Sequence, residues 1–266
     1  MEITVDNDSA YVYTGTKPLQ PGRRTWLFVH GAGMDHSAWV LQSRYFAFHG
    51  DNVLAPDLPG NGRSAGDPPR SIGAVADWLA RLLEALEIPR VVVVGHSMGS
   101  LAAVELAARQ PDRVEAAVLV GTGFPMAVAE PLLEAARAND HLAVEMVTTW
   151  GLSPQSHIGG NQSPGLWLDG QVARLLEAAG PGVLYAGLNV CNEYRDGEAS
   201  AARIRCPTHF VLGERDMMTP PRAAEALSAA MTVPTSRTVL PRCGHMVPLE
   251  RPGELLDELI ALRRRL

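Results

Sequence analysis

The sequence predicts an α/β fold: a mostly parallel, eight-stranded sheet flanked by helices. Three observations point to it. Short apolar runs alternate with helical patterns of roughly 10–15 residues, the signature of βαβ units and a parallel sheet. The runs Thr25–Val29 and Val91–Val94 are apolar without a break, as strands buried on both faces are. Clusters of Gly, Pro, Asn and Asp separate the runs and mark the turns.

Taken in order, Ile3–Val5 and Ala10–Tyr13 are short strands joined by Asp/Asn/Ser turn residues. Their link is too short for a crossover, so they pair antiparallel at one edge. Thr25–Val29 is the third strand and runs into His30-Gly31-Ala32-Gly33, with a helix following over Ser37–Phe48. Asn52–Ala55 is the fourth strand, and the Pro- and Gly-dense segment 56–64 is a loop. Ser71 is placed to cap a helix whose Ile72, Val75, Leu79, Leu82, Leu83 and Leu86 share one face, and Pro89 ends it. Val91–Val94 leads into Gly95-His96-Ser97-Met98-Gly99. The helix after it, Ser100–Arg109, is apolar nearly all round, as a buried helix should be. Ala116–Val120 is the sixth strand. Between Phe124 and Arg203 the rhythm changes to helical patterns, as in Pro131–Thr149 and Gln171–Ala178, broken by a Gly/Ser/Pro/Asn cluster at 151–165. Strand Thr208–Leu212, helix Pro221–Met231, strand Ser236–Leu240 and an amphipathic helix over Glu250–Arg264 restore the alternation. The expected organisation is one core domain, residues 1–123 and 204–266, carrying a helical cap at 124–203 after the sixth strand.

The 266 residues, 46% hydrophobic and 20% charged, suffice for a sizeable core and exclude a disordered chain. A net charge of −6 without a basic run gives no support to nucleic-acid binding. Nothing reads as a basic membrane-surface helix, a signal peptide or the roughly 18-residue apolar stretch of a membrane span. Cys191, Cys206 and Cys243 form no C-x-x-C pair, and their odd number argues for reduced thiols. These features predict a cytoplasmic protein with a small-molecule partner. They leave the oligomeric state open.

In open α/β sheets, ligands bind beyond the carboxyl ends of the strands, so the residues after each strand are the candidate site. Gly95-His96-Ser97-Met98-Gly99 is a G-x-S-x-G between a strand and a helix. In that context the serine sits on a sharp turn with its hydroxyl exposed, and the flanking glycines remove Cβ atoms that would collide. A serine hydroxyl is a poor nucleophile without a base. Of the eight histidines, His245 is the one placed after a strand where it can swing toward Ser97. His96 adjoins the serine but points away from it, and His30 more readily orders the Gly loop. The histidine needs a carboxylate to fix its tautomer. Asp216 follows the seventh strand, whereas the sixth ends in Gly121-Thr122-Gly123 with no acid, and Glu214 lies closer to its strand. No His/Cys/Asp/Glu cluster has metal-ligand spacing, and the Gly loop lacks the third glycine of a dinucleotide fingerprint, so no metal or cofactor is implied.

The order Ser97…Asp216…His245 resembles the α/β-hydrolase superfamily over essentially the whole chain. So do the segments around it: His30–Gly33, Asp57-Leu58-Pro59-Gly60-Asn61-Gly62-Arg63-Ser64, Gly213–Asp216 and Gly244-His245…Glu250-Arg251-Pro252. The resemblance implies an oxyanion hole formed by the N–H groups of Ala32 and Met98. Met98, the first residue after the serine at a helix N-terminus, is expected there on electrostatic grounds as well, while Gly33 stays open as an alternative to Ala32. Serine at the nucleophile position departs from the superfamily's epoxide hydrolases and haloalkane dehalogenases, which use a carboxylate. Met34-Asp35 and Met246 stand where its C–C bond hydrolases typically carry Gly-Pro-Gly and Trp. The pattern is most similar to small-cap serine esterases and enol-lactonases. It implies hydrolysis of carboxylic esters or lactones through an acyl-enzyme. The alternatives are an acyltransferase or perhydrolase on the same triad, a C–C bond hydrolase, and a small-molecule receptor on the same fold. Met34, Met126, Met217 and Met246 follow the motif loops. With Trp150 and Trp167 they are the expected lining of an adaptable apolar pocket for small to medium acyl groups.

Overall fold

Eight strands form one sheet: β1 (Glu2–Val5), β2 (Asp8–Tyr13), β3 (Thr25–Val29), β4 (Asn52–Pro56), β5 (Val91–His96), β6 (Val114–Val120), β7 (Thr208–Gly213) and β8 (Thr235–Leu240). Their order is β1-β2-β4-β3-β5-β6-β7-β8. The computed structural model describes residues 1–160 and 165–266; residues 161–164, part of the cluster at 151–165, lie outside the described residues. β1 pairs with β2, and β2 with β4, antiparallel, while the pairings from β4 through β8 are parallel. The short link between the first two strands thus gives the expected antiparallel edge.

Ahead of β6 lie α1 (Val40–Phe48), α2 (Ile72–Ala85) and α3 (Met98–Arg109). Between β6 and β7 the described residues form α4 (Glu130–Arg137), α5 (Leu142–Gly151), α6 (Pro154–His157), α7 (Leu168–Glu177), α8 (Val183–Glu193) and α9 (Gly197–Ala201). After β7 come α10 (Glu225–Ala230), α11 (Val247–Glu250) and α12 (Pro252–Arg265). Ser71 caps α2 as its residue type predicts, its Oγ accepting the Ala74 N–H at 3.0 Å. α3 is buried along almost its whole length, from Met98 to Ala108.

The alternation of strand side chains builds two core layers. Trp26 and Phe28 of β3 and Val92 and Val94 of β5 share a layer with Phe46 of α1 and Leu255 and Leu259 of α12. Leu27, Val29, Val91 and Val93 enter the opposite layer with Leu79 and Leu82 of α2 and Leu101 and Leu106 of α3. Each such side chain contributes about 1.5–3 kcal/mol on burial.

Four helical segments are divided or shifted against the sequence pattern, the first being Ser37–Phe48, which opens with a 3-10 turn over His36–Trp39 before α1. Pro131–Thr149 is two helices, because Asn139 turns into the left-handed region at φ 52° and the chain reverses there. Pro221–Ala224 forms a tight 3-10 turn ahead of α10. The last helix breaks at Arg251 (φ −131°) and restarts at Pro252, whose missing N–H is harmless in the first turn.

One topological feature positions the site. β4 and β5 flank β3, so the strand order reverses there. The chain therefore leaves β3 and β5 toward opposite faces and opens a crevice at their carboxyl ends. No helix among the described residues is long and apolar enough to cross a membrane. All three cysteines are buried and free.

Candidate active site

Ser97 sits where β5 turns into α3. Its N–H still donates to the Val120 carbonyl at 3.0 Å, while its own carbonyl accepts the Ser100 N–H at 2.8 Å. Joining strand to helix in one residue forces φ 52° and ψ −119°, a conformation that costs a non-glycine residue on the order of 1–3 kcal/mol. The flanking glycines make it possible. A Cβ on Gly95 would run into the Gly99 carbonyl, and one on Gly99 would strike the Val29 and His30 carbonyls of the neighbouring strand end.

Asp216 follows β7 and is 4% exposed. Its Oδ1 accepts the N–H groups of Met218 (2.9 Å) and Thr219 (2.7 Å). Its Oδ2 accepts the Thr219 hydroxyl at 2.8 Å and the His245 Nδ1–H at 2.9 Å. Burial opposes ionisation of this carboxyl, but the His245 ring and the Thr219 donors outweigh it and hold the group below the usual carboxylate range. Thr219 Oγ1 also lies 3.0 Å from His245 Nδ1, so the hydroxyl braces both partners. With Nδ1 engaged on Asp216, His245 has Nε2 left for a proton.

The His245 main chain is fixed as well. Its N–H donates to the Gly151 carbonyl at 2.8 Å, and its carbonyl accepts His96 Nε2–H at 2.8 Å. His96 is thus no base for Ser97, but it ties the end of β5 to the His245 loop. Burial, reinforced by the neighbouring His245, pushes its pKa down to about 3, so the ring stays neutral. His30 plays the loop-ordering part expected of it. Its Nδ1–H donates to the Gly31 carbonyl at 2.9 Å and its Nε2 accepts the Leu58 N–H at 3.0 Å. Burial lowers its pKa too.

Ser97 and His245 open onto one cavity of about 130 Å³. Ala32, Thr219, Met217 and Met218 line it from the core; Met126, Leu132, Trp150, Leu188 and Cys191 line it from the segment between β6 and β7. No Asp, Glu, Lys or Arg is among its lining residues, and burial pushes the Cys191 thiol up to about 12, so it stays protonated. Met34 and Met246 line a second, smaller cavity that also borders Ser97 and His245. Met217 stands at the mouth, 67% exposed. Trp167 differs from its expected place. It is 74% exposed and absent from both linings, because it precedes α7 with its ring laid over Gly170, where a Cβ would strike it. Met98 opens α3, where the first N–H groups have no partner within the helix, and Ala32 lies in the Gly loop beside the cavity. Gly33 lines neither cavity, and at φ 68° a Cβ there would meet Leu184 and Leu176.

Asp35, His36 and Asp57 bring ligand-type atoms within 4.8 Å of one another. The Asp57 carboxylate is already engaged. Oδ1 accepts the His36 N–H (2.7 Å) and Nδ1–H (2.8 Å), and Oδ2 accepts the Arg63 N–H (2.9 Å). That arrangement fastens the 57–64 loop beside the Gly loop. Thr219 and the main chain of Gly151 were not singled out by sequence reasoning, and Glu250 entered it only within the Gly244-His245…Glu250-Arg251-Pro252 resemblance, without a role. Thr219 alone left a readable signal there, a hydroxyl three residues after the acid, where side chain and N–H can both return to the carboxylate.

The chain is 29% identical over 255 residues to a pimeloyl-(acyl-carrier protein) methyl ester esterase of Nitrosospira multiformis, spanning 90% of this chain and 94% of that one. A thermophilic esterase of known structure superposes with a TM-score of 0.80 and 26% identity, covering 100% of this chain and 97% of the other. The enol-lactonase from Burkholderia xenovorans LB400 shares the fold at a TM-score of 0.86 and 19% identity over 98% of each chain. The model of the alpha/beta hydrolase family matches residues 26–258, from the start of β3 into α12. With the strand order, the turn at Ser97 and this match in agreement, the chain belongs to the alpha/beta hydrolase family.

Proposed function

We propose that this carboxylic ester hydrolase cleaves small, uncharged esters or lactones through a Ser97–His245–Asp216 triad and an acyl-enzyme. Ser97 Oγ attacks the carbonyl carbon while His245 Nε2 takes its proton. Asp216 holds the imidazole by Nδ1 and balances the charge that the ring gains. The N–H groups of Ala32 and Met98 receive the oxyanion, Met98 from the first turn of α3, where the helix dipole favours negative charge. His245 returns the proton to the leaving alcohol, then draws one from the water that releases the acyl group. Residues 124–203 act as the cap that closes the site and selects the substrate. The relatives named as esterases support the reaction class.

The observation that carries the reading is the shared cavity. A serine held in a strained turn and a histidine whose Nδ1 is bound to a buried carboxylate border the same uncharged space. A volume of about 130 Å³ lies well under the roughly 300–1,000 Å³ of drug-sized sites, which favours short chains. The test is hydrolysis of p-nitrophenyl esters of graded chain length by the wild type and Ser97→Ala. The variant is expected to stay folded and to lose roughly 10⁴- to 10⁶-fold in kcat, with fluorophosphonate labelling confined to the wild type. Undiminished turnover by Ser97→Ala would overturn the reading.

A further inference from the structure

We propose that Glu250 is a positioning residue for the reaction: its carboxylate clasps the loop carrying His245 to the turn after α5, so that the segment between β6 and β7 sets where the base stands. The inference rests on His245 acting as that base.

Glu250 closes α11 and is 1% exposed. Its Oε1 accepts the N–H of Gly244, the residue just before His245, at 2.9 Å. Its Oε2 accepts the Ser153 N–H at 2.9 Å and the Ser156 hydroxyl at 2.7 Å. One carboxylate thus joins two segments 97 residues apart in sequence. The main chains meet beside it, His245 N–H and Met246 N–H both donating to the Gly151 carbonyl, at 2.8 and 3.0 Å. There is no slack at this junction. A Cβ on Gly244 would lie 2.7 Å from Glu250 Oε1 and from Ser153 N, and one on Gly151 would lie 2.8 Å from Met246 Cε.

A carboxylate is hard to replace here. A buried negative charge persists only where donors surround it, and Glu250 has three, one from the base loop and two from the turn. Glutamine has nearly the same shape but only one acceptor oxygen. Its amide N–H₂ would face an N–H donor on one side or the other, and one half of the clasp would open. The imidazole would then shift relative to Ser97, and displacements of about 1 Å cost on the order of 100-fold in rate. The substrate-facing residues stay in place, so the loss belongs in kcat rather than KM.

Glu250→Gln, Ser156→Ala, Ser97→Ala and the wild type are compared on one p-nitrophenyl ester, with kcat normalised to folded protein from circular dichroism and thermal melts. Glu250→Gln is expected to lower kcat roughly 10- to 100-fold with KM within about twofold, and Ser156→Ala to lower kcat less, in the same direction. Should Glu250→Gln not fold, Ser156→Ala decides. A role in folding alone would depress the melting temperature and leave kcat per folded molecule at the wild-type value; that outcome, with Ser97→Ala inactive, overturns the clasp and leaves the triad standing. Full turnover by Ser97→Ala overturns the triad and the clasp with it.

Discussion

Acid destabilises this protein through His96 before it reaches the carboxylates. The ring is 1% exposed, donates Nε2–H to the His245 carbonyl and leaves Nδ1 without a partner among the described residues. A second proton would place both a charge and an unpaired N–H in an apolar interior. Burial and the adjacent His245 therefore push its pKa down to about 3, against 6.5 for a free histidine. The unfolded chain accepts this proton first, so the stability involved is complete above about pH 6.5 and drains away as pH falls toward about 3. Between about pH 7 and pH 5, linkage at 1.36 kcal/mol per unit makes the loss about 2 kcal/mol from this one group. His30, whose pKa burial also lowers, adds in the same direction. Against a typical total of about 5–15 kcal/mol the effect is large. Urea unfolding followed by far-ultraviolet circular dichroism at the two pH values measures it. His96→Gln supplies the control, since its Nε2 can still donate to the His245 carbonyl while the side chain no longer titrates. The wild type should lose about 2 kcal/mol more than the variant over this interval. Equal pH sensitivity in the two proteins refutes the argument.

Two further predictions follow from the hydrogen-bond geometry. Asp216→Asn removes the acceptor that keeps the proton on His245 Nδ1, and kcat should fall on the order of 10³- to 10⁴-fold with the melting temperature nearly kept, as stopped-time ester assays and melts will show. Tyr194→Phe removes the hydroxyl that donates to buried Glu105 Oε1 at 2.6 Å, across from the end of α8 to α3. Leaving that carboxylate short of a donor should destabilise the protein by about 1–3 kcal/mol in chemical unfolding.

The inner strands β3 to β7 were legible because burial on both faces imposes a nearly unbroken apolar run, while the part-exposed outer strands β1, β2 and β8 were legible from their turn-bounded alternation. All eight fall on the predicted runs to within a few residues. The α2 cap was legible because a serine at that place has a single local partner. The split at Asn139 was not, since its left-handed conformation is supported by a distant contact: Asn139 Oδ1 accepts the Gly182 N–H at 2.6 Å. The same holds at the site. Ser97, Asp216 and His245 stand at strand ends, where topology alone brings them together. His96 and Glu250 act through main-chain atoms of loops that meet only in the folded chain, and no spacing announces such a contact. Trp167 shows the converse. An aromatic in a helical insertion suggests a cavity roof, but which side it faces depends on how α7 is laid down, and here Gly170 offers it a seat on the outside.

The segment between β6 and β7 touches both halves of the proposed machinery. At Gly151 its carbonyl holds the His245 main chain. At Gly187 in α8 it approaches the Gly loop so closely that a Cβ would lie 2.7 Å from Ala32 Cβ and 2.9 Å from Ala32 Cα. One residue further on, Leu188 lines the cavity. The atoms that shape the substrate space therefore belong to the same short helix that bears on the proposed oxyanion donor. Close-packed interiors transmit such displacements rather than absorb them. Enlarging Gly187 would press on Ala32 through a rigid contact, while enlarging Leu188 would only narrow the cavity. Neighbouring substitutions on one helix should then separate, the first acting on kcat and the second on KM and chain-length preference. A segment that merely covered the site, touching neither loop, could not produce that division.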